Sequence, residues 1–346
     1  MPELPEAEVV RVGLHPAVAG AVVTAVDVRE PRSLRRHDGP LEDFIDRLTG
    51  ATILSAVRRG KFLWFPFASA STRGDESHAL VVHLGMSGQV LLRGREQPDD
   101  RLLRIRLDLV HPAHGSLRLA FVDQRIFGSM ALDATEATSD GRAAGYASPT
   151  ILGHDLDGDL GPEDPAPWVT RIPHQVAHIA RDPLDPAFDE RLFFARLLAR
   201  RSGVKRALLD QGLVSGIGNI YADESLWAAK IHFDQPCASL SRRRAGLLLV
   251  EIRAVLFKAL AEGGTSFDQQ YVNVNGQSGY FAHSLNVYGQ QGKPCPRCGT
   301  LIARAPFMNR SSHFCPRCQP RRPSAKPSDV AVAVVLGPSR QPPVRV

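Results

Sequence analysis

Long apolar runs are missing from this chain of 346 residues. No stretch approaches the roughly eighteen uncharged hydrophobic residues that a membrane-spanning helix needs, so no membrane contact is expected. Cysteine is scarce, five in all, which excludes a fold stapled by a dense disulfide framework. Neither sign of charge dominates: 42 lysines and arginines face 36 acidic residues, a formal net charge of +6. Residues 319–346 hold five basic groups against the single acid Asp329, a net +4 that leaves only +2 for the body. Bulk charge therefore gives little reason to expect a nucleic acid, and local placement of charge must decide. The length allows two cores plus a small appended module.

What the chain does have begins at its first residues, Met1-Pro2-Glu3-Leu4-Pro5-Glu6. A small second residue permits removal of the initiator methionine, and Pro2 then carries an N-terminal secondary amine. Such an amine attacks a sugar C1′ or a carbonyl to give an iminium, the Schiff-base form of covalent catalysis. It titrates near neutrality, so a useful fraction is unprotonated at pH 7. Glu3 stands beside it, where a carboxyl can move protons to or from a sugar. At the other end, Cys295-Pro-Arg-Cys298 and Cys315-Pro-Arg-Cys318 are separated by sixteen residues. Four thiolates at this spacing suit one tetrahedral structural Zn2+, and the spacer has the length of a β-hairpin. Disulfides are the competing reading, but no secretory signal precedes the chain and cytosolic thiols stay reduced. A closed four-thiolate site leaves no open position, so the metal is expected to hold structure and not to catalyse. Cys237 has no partner in this pattern and reads as a core or surface thiol.

Between these ends the periodicity changes once. Residues 5–19 read as a helix with proline in its first turn and Glu6 and Glu8 at its positive end. Val22, Thr24, Val26 and Val28 alternate as a half-buried strand, and 40–50 reads as a short helix. Strands are expected at 51–57, 61–67, 79–84 and 88–93. Leu103, Ile105, Leu107 and Leu109, then Leu117, Leu119 and Phe121, continue the alternation. Many short strands with few helices predict a β-sandwich over 2–133. Residues 134–175 are rich in Gly, Pro, Ala and Asp and read as an acidic insertion and linker. From about 187 the period becomes helical, at 187–200, 204–211, 219–229 and 240–262. Between two of these lies the glycine-rich segment 212–221. A turn of that kind exposes N–H groups at a helix N-terminus, a ready phosphate site, but tight helix packing explains its glycines equally well. The tail 319–346 reads as disordered and basic.

Five segments in this order resemble the formamidopyrimidine-DNA glycosylases, base-excision enzymes for oxidised purines. They are Pro2 to Glu6, Arg59-Gly-Lys61, His83-Leu-Gly-Met-Ser-Gly88, Ser215-Gly-Ile-Gly-Asn-Ile-Tyr221 and the cysteine ribbon. The resemblance runs from residue 2 to about 318. It implies an α+β multidomain fold: an N-terminal β-sandwich with flanking helices, a helix–two-turn–helix domain at 176–284, a β-hairpin zinc ribbon at 285–318, and a DNA cleft between the halves. It further implies that Pro2 is the nucleophile, Glu3 handles protons at the sugar, and Lys61 binds phosphate or donates a proton. Arg310 would hold the phosphate beside the lesion, as a bidentate guanidinium suits. Met86, Arg125 and Phe127 match the side chains that fill the space left by an extruded base. His83, Arg200, Lys205, Asn219 and Tyr221 are the remaining candidate DNA contacts, and residues 263–281 match a loop that covers the lesion.

Away from that resemblance Lys61 reads as a surface lysine, Met86 and Phe127 as core residues, and Arg310 as a solvated hairpin tip. Three departures from the family pattern stand at Gln124, Ile126 and Leu102. The expected activity is a bifunctional glycosylase and abasic-site lyase, by β- and δ-elimination, acting as a monomer in the cytoplasm on damaged double-stranded DNA near the nucleoid. The alternatives are an endonuclease VIII-like enzyme for oxidised pyrimidines and a catalytically silent zinc-ribbon DNA-binding protein.

Overall fold

The computed structural model describes residues 2–69, 77–148, 166–265 and 280–322. The acidic stretch 149–165, most of the expected lesion-covering loop (266–279) and the tail from 323 onward lie outside the described residues. Helix α1 (Leu4–Val18) starts where Glu3 caps it, with Pro5 in its first turn and the Glu6 carboxylate accepting the Glu3 N–H at 2.8 Å. It is buried on nearly every side. Val10, Leu14 and Val18 enter one core while Leu4 enters another, so α1 is a wall shared by two halves of the molecule.

The first half is a sheet of ten strands: β1 (Val22–Val28), β2 (Thr52–Ile53), β3 (Val57–Arg59), β4 (Phe62–Ala68), β5 (His78–His83), β6 (Gly88–Gly94), β7 (Leu103–His111), β8 (Gly115–Asp123), β9 (Ser129–Ala137) and β10 (Arg171–Pro173). The order is β10-β9-β5-β4-β2-β1-β7-β8-β6, with β3 added beside β4. Val23, Ile53, Phe65, Leu80, Val90, Leu107, Phe121 and Met130 come from strands far apart on this path yet share one buried cluster. The sheet therefore curls over itself as a sandwich, flanked by α1 and α2 (Leu41–Leu48). Fully burying each leucine or phenylalanine in such a core contributes about 1.5–3 kcal/mol.

Three expectations change. The strand expected at 51–57 divides into β2 and β3, because the opposing Pro66 has no N–H to continue the ladder, although its carbonyl still accepts the Leu54 N–H at 2.8 Å. The alternation in β1 is broken by a register shift between Val23 and Ala25, which leaves Thr24 exposed. Strand β9 runs across residue 133 and pairs with β10, so both ends of the expected insertion belong to the sheet.

The second half is helical: α3 (His174–Ala177), α4 (Glu190–Leu198), α5 (Val204–Leu208), α6 (Asn219–Ala228) and α7 (Arg242–Ala261). Asp189 caps α4 by accepting the Leu192 N–H at 2.9 Å, and Ser241 caps α7 by accepting that of Arg244 at 3.3 Å. Cys237 lies in this core, where burial pushes its thiol up to about 11 and makes it unreactive. A hairpin of β11 (Ala303–Phe307) and β12 (Arg310–Phe314) ends the described chain. A buried ion network joins the halves: Arg58 donates to Glu8 at 2.7 Å and to Asp182 at 2.8 Å, and Arg11 donates to Glu8 at 2.7 Å.

Candidate active site between the two halves

The glycine-rich segment between α5 and α6 is shaped by what packs against it. Leu4 donates its N–H to Gly216 O at 2.9 Å. A Cβ on Gly216, itself at φ +86°, would lie 2.7 Å from the Leu4 side chain, and one on Gly218 would lie 2.3 Å from the Glu3 carboxyl. Only glycine admits the first residues of the chain so close. Glu3 then fills the α6 N-terminus, accepting the N–H groups of Gly218 (2.6 Å), Ile220 (3.0 Å) and Tyr221 (3.3 Å). The helix end read from sequence as a phosphate site is therefore occupied by the chain's own carboxylate. Burial, the largest influence, pushes Glu3 up to about 7 with help from Glu6, against the Lys61 ammonium and the backbone N–H groups.

Glu6, one turn on, accepts the Tyr221 hydroxyl at 2.6 Å and the Thr265 N–H and hydroxyl at 2.7 and 2.8 Å. Tyr221 is fully buried, and burial drives its phenol well above the usual value. It braces α1 against α6, which corrects its expected place among DNA contacts. Lys205 needs the same correction. It is completely buried, paired with Asp223 at 2.8 Å, and donates to Ser312 Oγ at 2.9 Å. Its charge ties α5 to the β11–β12 hairpin. Arg200 pairs with Asp210 at 2.7 Å and does not line the cavity described next.

A cavity of about 300 Å³ opens between the halves, lined by Pro2, Lys61, Phe62, His83, Asn219 and Arg310 among others. Pro2, the lysine after β3, the histidine ending β5, the first residue of α6 and the ribbon tip thus converge on one space. Lys61 donates to Ile217 O at 2.8 Å, and burial lowers its pKa while Glu3 and Glu6 oppose the shift. His83 is pushed down to about 4 by burial and by Arg36, Arg35 and Lys61, so it is neutral at pH 7. Asn219 keeps a buried Oδ1 with no hydrogen-bond partner among the described residues. Beside the cavity, Met86 on the β5–β6 loop meets Arg125 and Phe127 on the β8–β9 loop. Arg125 Nη1 lies 4.0 Å from Met86 Sδ and its guanidinium 6.0 Å from the Phe127 ring centroid. Phe127 is 50% exposed, which removes the core reading for it.

The four ribbon cysteines place their sulfurs within 4.8 Å of one another. The Cys298–Cys315 and Cys298–Cys318 pairs stand at 3.5 Å and Cys295–Cys318 at 4.0 Å. A tetrahedral ion with Zn–S bonds of about 2.3 Å calls for sulfur separations near 3.8 Å. Cys295 also receives the Trp227 indole N–H at 3.4 Å, the kind of outer contact that orients a ligand thiolate. The donor set fits one zinc ion, which would fix the hairpin carrying Arg310.

Comparison with known proteins gives the same architecture. The formamidopyrimidine-DNA glycosylase N-terminal domain matches residues 1–130, the H2TH domain of the same enzymes matches 179–270, and a zinc finger found in FPG and IleRS matches 292–321. The formamidopyrimidine-DNA glycosylase of Leifsonia xyli is 58% identical over 319 residues, covering 92% of this chain and 99% of that one. The chain belongs to the formamidopyrimidine-DNA glycosylase family. Among solved structures, Lactococcus lactis Fpg in complex with abasic-site DNA superposes with a TM-score of 0.70 at 30% identity, covering 92% of this chain and 99% of that one. The wild-type Lactococcus lactis enzyme with DNA containing an oxidised pyrimidine gives 0.70 at 30% identity, over 92% and 100%.

Against that glycosylase framework, sequence reasoning overlooked several residues of the site. Gln211 lines the cavity and bridges Ile217 O and Gly216 N, both at 3.0 Å. Glu6 braces α1 against α6, and Phe62 forms part of the wall. The one signal for Glu6 was a carboxylate spaced three residues after Glu3 at a helix start.

Proposed function

We propose that this chain is a bifunctional DNA glycosylase and abasic-site lyase that excises 8-oxoguanine and formamidopyrimidines through its N-terminal proline. The observation that carries this reading is the meeting of Pro2, Lys61, Asn219 and Arg310 around one cavity, with Glu3 held beneath it by α6. With Met1 removed, the Pro2 nitrogen attacks C1′ of an extruded nucleotide, the N–C1′ bond forms, and the C1′–base bond breaks. The departing base takes a proton. Glu3, kept protonated near neutrality, donates to the sugar ring oxygen as the ring opens to the iminium. Loss of the acidified C2′ proton expels the 3′ phosphate, and a second elimination expels the 5′ phosphate. Lys61 and Arg310 neutralise the phosphates, Asn219 and neutral His83 hydrogen-bond the backbone, and Met86, Arg125 and Phe127 occupy the vacated stack. Borohydride trapping on an oligonucleotide panel tests the reading; oxidised pyrimidines belong in it, because a relative has been crystallised on such DNA. DNA binding without any trapped band would favour the silent binder. We infer that it works in the cytoplasm at the nucleoid, where a DNA glycosylase meets its substrate, and that it acts as a monomer.

Two further outcomes are expected. Excision requires a free amine and a protonated Glu3, whose carboxyl burial pushes up to about 7. The single-turnover rate should therefore be bell-shaped, falling about tenfold per pH unit above Glu3's value as the acid is lost and falling on the acid side as the amine is protonated. On a preformed abasic site, trapping needs only the free amine and should reach an alkaline plateau. Excision that also plateaus above pH 8 would remove the acid role from Glu3. Cys298→Ser is expected to release zinc and weaken DNA binding about tenfold or more by freeing the Arg310 hairpin, with the sandwich still folded. Unchanged affinity in a fluorescence anisotropy titration would separate the ribbon from DNA binding.

A further inference from the structure

The loop that carries Arg125 and Phe127 is gripped from two sides by charged groups outside both the cavity and the wedge. From within, the buried Asp123 carboxylate accepts the Gly128 N–H at 2.7 Å, the Arg125 N–H at 3.1 Å and the Ser87 hydroxyl at 2.5 Å. From outside, Arg35 donates to three successive carbonyls: Ile126 at 3.3 Å, Phe127 at 2.5 Å and Gly128 at 2.6 Å. Between these grips Ile126 stands at φ +56°. That left-handed conformation is unfavourable for a β-branched side chain and persists only where the surroundings over-determine it. The same loop presses on its neighbour, since a Cβ on Gly85 would lie 2.4 Å from the Phe127 carbonyl carbon. Any relaxation at 126–128 therefore reaches the loop bearing Met86.

We propose that Arg35 is a positioning residue: by clamping three carbonyls of the wedge loop, it holds Arg125 and Phe127 in the arrangement that distinguishes the base opposite the lesion. The proposal rests on the assignment of Met86, Arg125 and Phe127 to the vacated stack. A guanidinium suits the task because its planar fork reaches several carbonyls at once, whereas an ammonium is a compact point donor.

The test uses full-length, zinc-loaded protein with Arg35→Ala, Arg35→Lys and, as a control on the underlying assignment, Phe127→Ala. Single-turnover kcat/KM is measured on 8-oxoguanine opposite cytosine and opposite adenine. Strand cleavage is measured on a single-stranded abasic oligonucleotide, which has no opposite base. Arg35→Ala is expected to lower the rate opposite cytosine about tenfold to a hundredfold, the cost of misplacing a group by an ångström, and to move the cytosine-to-adenine ratio toward one. Single-stranded cleavage should stay within about twofold, and Arg35→Lys should recover only part of the ratio. Ile126→Gly added to Arg35→Ala should restore discrimination in part, because glycine adopts the left-handed turn freely.

A ratio kept by Arg35→Ala but lost by Phe127→Ala overturns the proposal and leaves the wedge assignment standing. A ratio kept by both sinks the assignment and the proposal with it. A salt dependence of binding reduced by about one phosphate contact, with the ratio intact, would make Arg35 a direct DNA ligand and overturn the positioning role.

Discussion

Two residues added ahead of Pro2 are expected to abolish borohydride trapping on a duplex with 8-oxoguanine opposite cytosine, and to cut excision at least about a thousandfold. The extension turns the secondary amine into an amide, whose nitrogen lone pair is delocalised and does not attack carbon. It also adds bulk where room is short: Pro2 is buried against the cavity wall, and the next residues are fixed by the Leu4–Gly216 hydrogen bond and by Glu3 on α6. DNA binding should survive, because Arg310 and the ribbon are untouched. Pro2→Gly, which retains a terminal amine, should keep part of the activity at an altered rate. A trapped band from the extended protein would show that another group is the nucleophile.

Gly218→Ala should lower single-turnover excision about a hundredfold with zinc content unchanged. The new Cβ would stand 2.3 Å from both the carboxyl carbon and Oε1 of Glu3, so either the carboxylate or the start of α6 must move. Both movements forfeit N–H bonds now made at 2.6, 3.0 and 3.3 Å. Leaving such a buried acceptor short of donors costs about 1–3 kcal/mol. Gly246→Ala provides the control. It lies within α7, nothing stands within 4 Å of its added Cβ, and it should leave the rate alone while stabilising the helix by about 0.5–1 kcal/mol. Equal, near-normal rates for both variants would mean that the Glu3–α6 contact does not matter for chemistry.

How far the sequence could be read depended on whether a residue's role was local. Helix α1, the alternation in β7 and the four cysteines were legible because periodicity and spacing carry them. Pro2 and Glu3 were legible as an amine with a carboxyl beside it, Lys61 came from the family resemblance, and Pro2 and Lys61 line one cavity with Glu3 seated on α6. Lys205 and Tyr221 were misread because a charge or hydroxyl near a glycine-rich turn looks solvent-facing, while their partners Asp223 and Glu6 arrive through tertiary packing. Between the phosphate and tight-packing readings of the glycine-rich segment, sequence could not choose, because the carboxylate that packs there, Glu3, is 215 positions away in the chain. Strand β9 escaped notice because Ser129–Ala137 mixes small, acidic and apolar residues and depends on β5 and β10 for pairing.

The seat of Glu3 on α6 also bears on the order of biosynthesis. Glu3 acquires its hydrogen-bond donors only after residues 218–221 have been made and folded. Until then the start of the chain has no seat, so the cavity wall that Pro2 helps to form is completed only when both halves are in place.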